Sequence, residues 1–195
     1  QRTSIVTTNK PYFKYWGKAQ QYGEGTAPFH LLPYHCLDVA AVAAVWWESS
    51  PNLRRQFLTL VENIGDESEL RAWVLFFVAL HDLGKIDVRF QMKSPETLAT
   101  LQPTWRTSDI PDRGEGERYE HGEYGLRWFI REHPELLGTV HKSEEAVDSW
   151  MPWLAAVAGH HGKVPRYRHS ANRPDAERWI VEHDREARLA WFLTL

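Results

Sequence analysis

A histidine and an aspartate stand side by side where an apolar run stops. The stretch "WVLFFVALHDLGK", residues 73–85, carries His81 and Asp82, then Gly84 and Lys85. A second stretch, "WLAAVAGHHGK", residues 153–163, carries His160 and His161, then Gly162 and Lys163. His35 and His121 stand at the ends of other helical patterns, and the intervals from 35 to 81, 121 and 160 are 46, 40 and 39 residues. That spacing places one polar group per helix, so that a bundle can gather them. A set of neutral imidazoles with a carboxylate suits Mn, Fe, Co, Ni or Zn. Neighbouring residues on a helix point about 100° apart. A doublet therefore serves two adjacent ions more readily than one, with Asp82 as the bridging carboxylate. Two ions roughly 3.5–4 Å apart are the usual device for phosphoester hydrolysis. One histidine at a helix end is ordinarily a cap or a core group. Burying two polar doublets without partners is costly, however, and this favours a shared site.

Other residues allow two readings each. Lys85 either contacts a phosphate oxygen or is a solvated cation at a helix end. Asp38, one turn after His35, either orients that imidazole or simply favours the positive end of its helix. Cys36 reads as a buried structural thiol. Lys163, Arg166, Arg168 and Arg173 form a stretch without acids just after His160–His161. They either track a nucleic-acid backbone or line a solvated loop. Trp105 or Trp128 would stack on bases, with a core role the stronger reading for Trp128.

These groups must be held by helices. Residues 1–34 read as an irregular lead-in broken by prolines and glycines. From Tyr34 the pattern turns helical, with Leu37, Val39, Val42, Val45 and Trp46 as its apolar positions. A second helix covers "NLRRQFLTLVEN". The third, "ESELRAWVLFFVALHD", has acids in its first turn, and Gly84 sits where a left-handed cap would end it. One or two short helices follow between Phe90 and Leu101, then a long loop over 102–119. A helix starts at His121 and should stop before Pro134. Another runs into His160, with Pro152 as a kink or restart, and a last amphipathic helix closes the chain. No stretch reads as a strand. The fold class is all-α, a bundle of about six to eight helices, within one domain.

The composition agrees with a globular protein: 43% of the 195 residues are hydrophobic and 25% charged. A net charge of −3 gives no global field to draw a polyanion, so any such binding relies on local patches or bound cations. A single cysteine excludes an intrachain disulfide and fits the cytoplasm. No apolar run has the length of a membrane span. Ten tryptophans point to a dense core with some aromatic surface left for a partner.

Four stretches, "HLLPYHCLDVAAVAAVWW", "FFVALHDLGKIDVRFQ", "HGEYGLRWF" and "AAVAGHHGK", together resemble the HD nuclease domain of the type I CRISPR-associated helicase-nuclease, within the HD superfamily of metal-dependent phosphohydrolases. The likeness runs from about Tyr12 to Leu195. It implies a single-stranded DNA nuclease in antiviral defence. It implies one or two divalent ions (Mn, Fe, Co or Ni, with Mg admissible) held by His35, His81, Asp82, His121, His160 and His161, with Lys85 beside them. It also implies a superfamily-2 helicase downstream, an RNA-guided Cascade surveillance complex as partner, and a monomer. The family pattern continues to a helix with an Ala-Asp-Trp-like motif, which this sequence does not reach. The chain is therefore expected to be a piece of that domain, and Asp184 does not replace the missing aspartate. A nucleotide or cyclic-nucleotide phosphohydrolase of the same superfamily is the alternative.

Overall fold

The structure is a computed structural model and describes residues 10–19, 28–61, 66–104, 119–136, 144–165 and 175–195. Among them are eight α-helices, two short 3-10 helices and one two-stranded sheet, so the all-α expectation holds. The helices are α1 Leu32–Ser49, α2 Pro51–Leu60, α3 Glu67–Ala79, α4 Val88–Gln91, α5 Pro95–Leu101, α6 His121–Leu136, α7 Glu144–Ala158 and α8 Asp175–Phe192. None is long and apolar enough to cross a membrane.

The described parts of the lead-in, residues 10–19 and 28–34, are more ordered than its prolines and glycines imply. A 3-10 helix covers Pro11–Lys14, and strand β1, Trp16–Ala19, pairs antiparallel with β2, Phe29–Leu31. Strands of four and three residues are too short to show a period of two, which hides them in the sequence. The pairing is irregular between Trp16 and Lys18. Gln91 of α4 holds β1 from the other side: its amide accepts from Trp16 N at 2.9 Å and donates to Trp16 O at 3.1 Å.

An aromatic cluster joins α3 to α7. Phe77 stacks on Trp153 and Trp73, with ring centroids 5.3 and 5.9 Å apart, and Trp150 meets Trp73 edge-on at 5.1 Å. Such pairs add to the burial of their large apolar surfaces. The two apolar runs that precede the polar doublets are thus packed on each other. Four apolar positions of α1 face outward instead: Leu37, Val42, Val45 and Trp46 are all exposed. The apolar spacing of α1 is therefore only partly a core stripe.

Asp66 caps the start of α3 by accepting from Glu69 N at 2.9 Å. The end of α3 departs from the expected cap. The helix stops at Ala79, His81 and Asp82 lie in a turn, and Leu83–Lys85 form the second 3-10 helix. The left-handed conformation belongs to Gly162, with φ of 85°, and not to Gly84. Helix α6 also passes Pro134 and ends two residues later, and α7 continues through Pro152.

Candidate metal centre

Close backbone packing assembles the site. A Cβ built on Gly84 would lie 1.9 Å from His121 O and 2.7 Å from Gly125 N, and one on Gly122 would lie 2.2 Å from Ala158 O. The first turn of α6 is thereby wedged between the turn after α3 and the end of α7. His121 is carried up to His81–Asp82 on one side and to His160–His161 on the other. His35 projects from the first turn of α1 and packs against Gly17 of β1.

Asp82 lies at the centre, with only 1% of its side chain exposed. Its Oδ2 is 3.0 Å from His35 Nε2, 3.2 Å from His81 Nε2 and 2.7 Å from Lys85 Nζ. Its Oδ1 is 3.2 Å from His121 Nε2 and 3.5 Å from His160 Nε2. Two potential ligand sets result, His35–His81–Asp82 and His121–His160–His161. In the second set His161 Nε2 stands 3.1 Å from His121 Nε2. The first set is the more deeply buried, and His160 and His161 are exposed, so the site opens on their side.

The tautomers follow from the backbone. His81 Nδ1 lies 2.8 Å from Val78 O and His160 Nδ1 lies 2.7 Å from Val157 O. A carbonyl only accepts, so both Nδ1 atoms carry hydrogen, and in the neutral ring each Nε2 offers a lone pair. These lone pairs share one small volume with the Asp82 oxygens. Neither carboxylate oxygen closes a hydrogen bond of proper geometry, despite its burial. Acceptors gathered face to face in this way, with nitrogen and oxygen donors of the right chemistry, fit a divalent cation.

Burial alone would raise the Asp82 carboxyl, but His121, His35 and His81 outweigh it and hold the group well below its ordinary range. Burial lowers the pKa of His160, which favours the neutral ring. Lys85 is buried and donates to Gly17 O at 2.9 Å besides pairing with Asp82. This corrects the reading of that residue as a solvated cation. Its ammonium is not solvated, because Asp82 lies one 3-10 turn behind it and captures it.

The remaining expectations separate clearly. Asp38 pairs with His30 at 3.4 Å and does not orient His35, because β2 brings His30 alongside. Cys36 is fully buried, and burial pushes its thiol up. Trp128 is buried in the interior. Asp184 lies apart from the cluster and accepts from Tyr15 Oη at 2.6 Å and Val88 N at 2.8 Å. Lys163 is exposed beyond His160–His161, whereas Arg166, Arg168, Arg173 and Trp105 lie outside the described residues. Sequence reasoning missed Gly122 and Gly125, whose three-residue spacing in "HGEYG" puts them on one helix face.

The family model described as "Cas3, HD domain" matches residues 16–194. The CRISPR-associated endonuclease/helicase Cas3 of Escherichia coli (strain K12) is 37% identical over 195 residues, covering 93% of this chain and 21% of that protein. The chain thus spans about a fifth of the length of this curated relative. No solved structure matches. With the match running from β1 to just past the end of α8 and taking in all six gathered side chains, the chain belongs to the Cas3 HD-domain family.

Proposed function

We propose that this chain is a metal-dependent nuclease domain that hydrolyses phosphodiester bonds of single-stranded DNA in type I CRISPR interference. On this reading it works in the cytoplasm, joined to a superfamily-2 helicase and delivered to its substrate by the Cascade surveillance complex. The observation that carries the reading is the buried carboxylate of Asp82, whose two oxygens face two different imidazole sets. Family membership and the name of the Escherichia coli relative support the choice of a nuclease.

His35, His81 and Asp82 would hold one divalent ion, and His121, His160 and His161 a second, with Asp82 shared. Mn, Fe, Co or Ni suits this donor set best, and Mg is admissible. Bound there, the ions supply Lewis acidity for water activation and for the charge on the phosphoryl oxygens. The protein's own residues prepare that site. Val78 O and Val157 O hold the imidazoles of His81 and His160 in one tautomer and one orientation. Lys85 pairs with Asp82 and fixes its rotamer from behind. The exposed His160–His161 side admits the phosphodiester, and Lys163 on that side adds positive charge. Bound cations invert the local field, which reconciles a net charge of −3 with a polyanionic substrate. A single strand can bend a phosphate into a site whose carboxylate is recessed.

Metal analysis combined with a nuclease assay tests this. The chain should degrade circular single-stranded DNA with manganese or nickel, and Asp82→Ala should abolish both cleavage and metal binding. Release of phosphate from free nucleotides without any DNA cleavage would instead identify a nucleotide phosphohydrolase.

A further inference from the structure

The segment just after the His81–Asp82 doublet is buried and consists of one 3-10 turn and the start of the short helix α4, so several of its backbone polar groups have no partner within a helix and need one from elsewhere. Four of them are met by four different side chains. Gly84 O accepts from Tyr119 Oη at 2.7 Å, and Lys85 O accepts from Gln91 Nε2 at 2.8 Å. Ile86 O accepts from Arg188 Nη1 at 2.8 Å, and Val88 N donates to Asp184 Oδ2 at 2.8 Å.

The last two partners come from one turn of α8. Asp184 and Arg188 are four residues apart, hence on one helix face, and both are buried. Arg188 also forks onto Glu132 of α6, with Nε–Oε2 at 2.9 Å and Nη2–Oε1 at 2.6 Å, and lies over the Trp128 ring at 4.6 Å. Asp184 receives the Tyr15 hydroxyl at the entrance to β1. A single face of α8 therefore ties together the segment that follows Asp82, the helix that begins with His121, and the chain that leads into the strand beside His35. Only a guanidinium has donors enough, in a fixed plane, to serve Glu132 and Ile86 O together.

We infer that Asp184 and Arg188 are positioning residues of the metal centre, setting the His81–Asp82 turn against His121 without touching any ligand. This rests on reading the cluster as a metal centre. The test is calorimetric titration of the chain with Mn2+ alone, for the parent and three variants. Arg188→Lys keeps a charge for Glu132 but cannot reach both partners, and it should bind Mn2+ about 10-fold more weakly, the lower end of what loss of an outer partner costs a metal site. Glu132→Gln/Arg188→Met removes the buried pair as a unit, so no charge is stranded if the lysine variant fails to fold. It should show the same weakening. Leu70→Ala cuts the core at the far end of α3; it should lower the melting temperature and leave Mn2+ affinity unchanged. Parent-like Mn2+ affinity in the folded position-188 variants would overturn the inference and leave the metal centre standing. A parent chain that binds no Mn2+ would remove both.

Discussion

The backbone of Gly84 lies against the carbonyl of His121 so closely that a Cβ on Gly84 would sit 1.9 Å from that oxygen. The obstacle is backbone on both sides, since Gly125 N is the next atom met, at 2.7 Å. No side chain can rotate away. Gly84→Ala should therefore push α6 off the turn that bears His81 and Asp82. A stability loss at the upper end of the about 1–3 kcal/mol typical of overpacking is expected, together with loss of tight metal binding. Urea unfolding and Mn2+ titration measure the two effects, and a stable variant with parent affinity would contradict the wedge.

The two ligand sets should be separable by counting ions. Asp82→Ala removes the shared carboxylate and should reduce affinity by at least about 100-fold, more than loss of an outer partner. His161→Ala should remove one ion and leave the buried His35–His81–Asp82 set filled. Equilibrium dialysis with elemental analysis reads the stoichiometry. Equal loss in both variants would mean that the six residues hold a single ion.

Metal should also stabilise the fold, because the unfolded chain has no such site. At a hundredfold excess over Kd the gain is about 2.7 kcal/mol. Thermal unfolding in EDTA and in Mn2+ should differ accordingly. Imidazoles bind cations in their neutral form, so the difference should shrink as the solution is acidified. An identical melting temperature with and without Mn2+ would count against the site.

The stability of the metal-free chain should carry a second pH signature, from α8. Burial first, and then the charge of Asp87, push the Asp184 carboxyl up to about 7 from its ordinary 3.8. The folded state then holds a proton that the unfolded state releases, so stability is full below about 4 and falls as pH rises to about 7. Asp184→Asn has no such proton. Its amide can accept from Val88 N and donate to Tyr15, so it should gain on the parent between pH 5 and pH 8. A constant gap between their urea midpoints across that range would refute this.

The gathered histidines were legible because each follows or begins a helix pattern at intervals of about one helix and its connection. The apolar runs before both doublets announced that those ends would be rigidly held. What stayed hidden depends on contacts between distant segments. In sequence Gly84 resembles a helix stop, but its need is for space against α6. Lys85 resembles a free cation until the 3-10 turn brings Asp82 behind it. Asp38 sits at helical spacing from His35, yet the hairpin brings His30 nearer. Asp184 and Arg188 look like ordinary polar positions of an amphipathic helix. Only the buried backbone they serve distinguishes them.

The shared carboxylate of Asp82 also has a consequence in time. Its first partners, His35 and His81, precede it in the chain, whereas His161 follows it by 79 residues. At about 5–20 residues per second, a nascent chain needs roughly 4–16 s to pass from one to the other. Through that interval the His121–His160–His161 set is incomplete, and the paired arrangement closes late in synthesis. A chain interrupted anywhere before His160 is thus left without the second set.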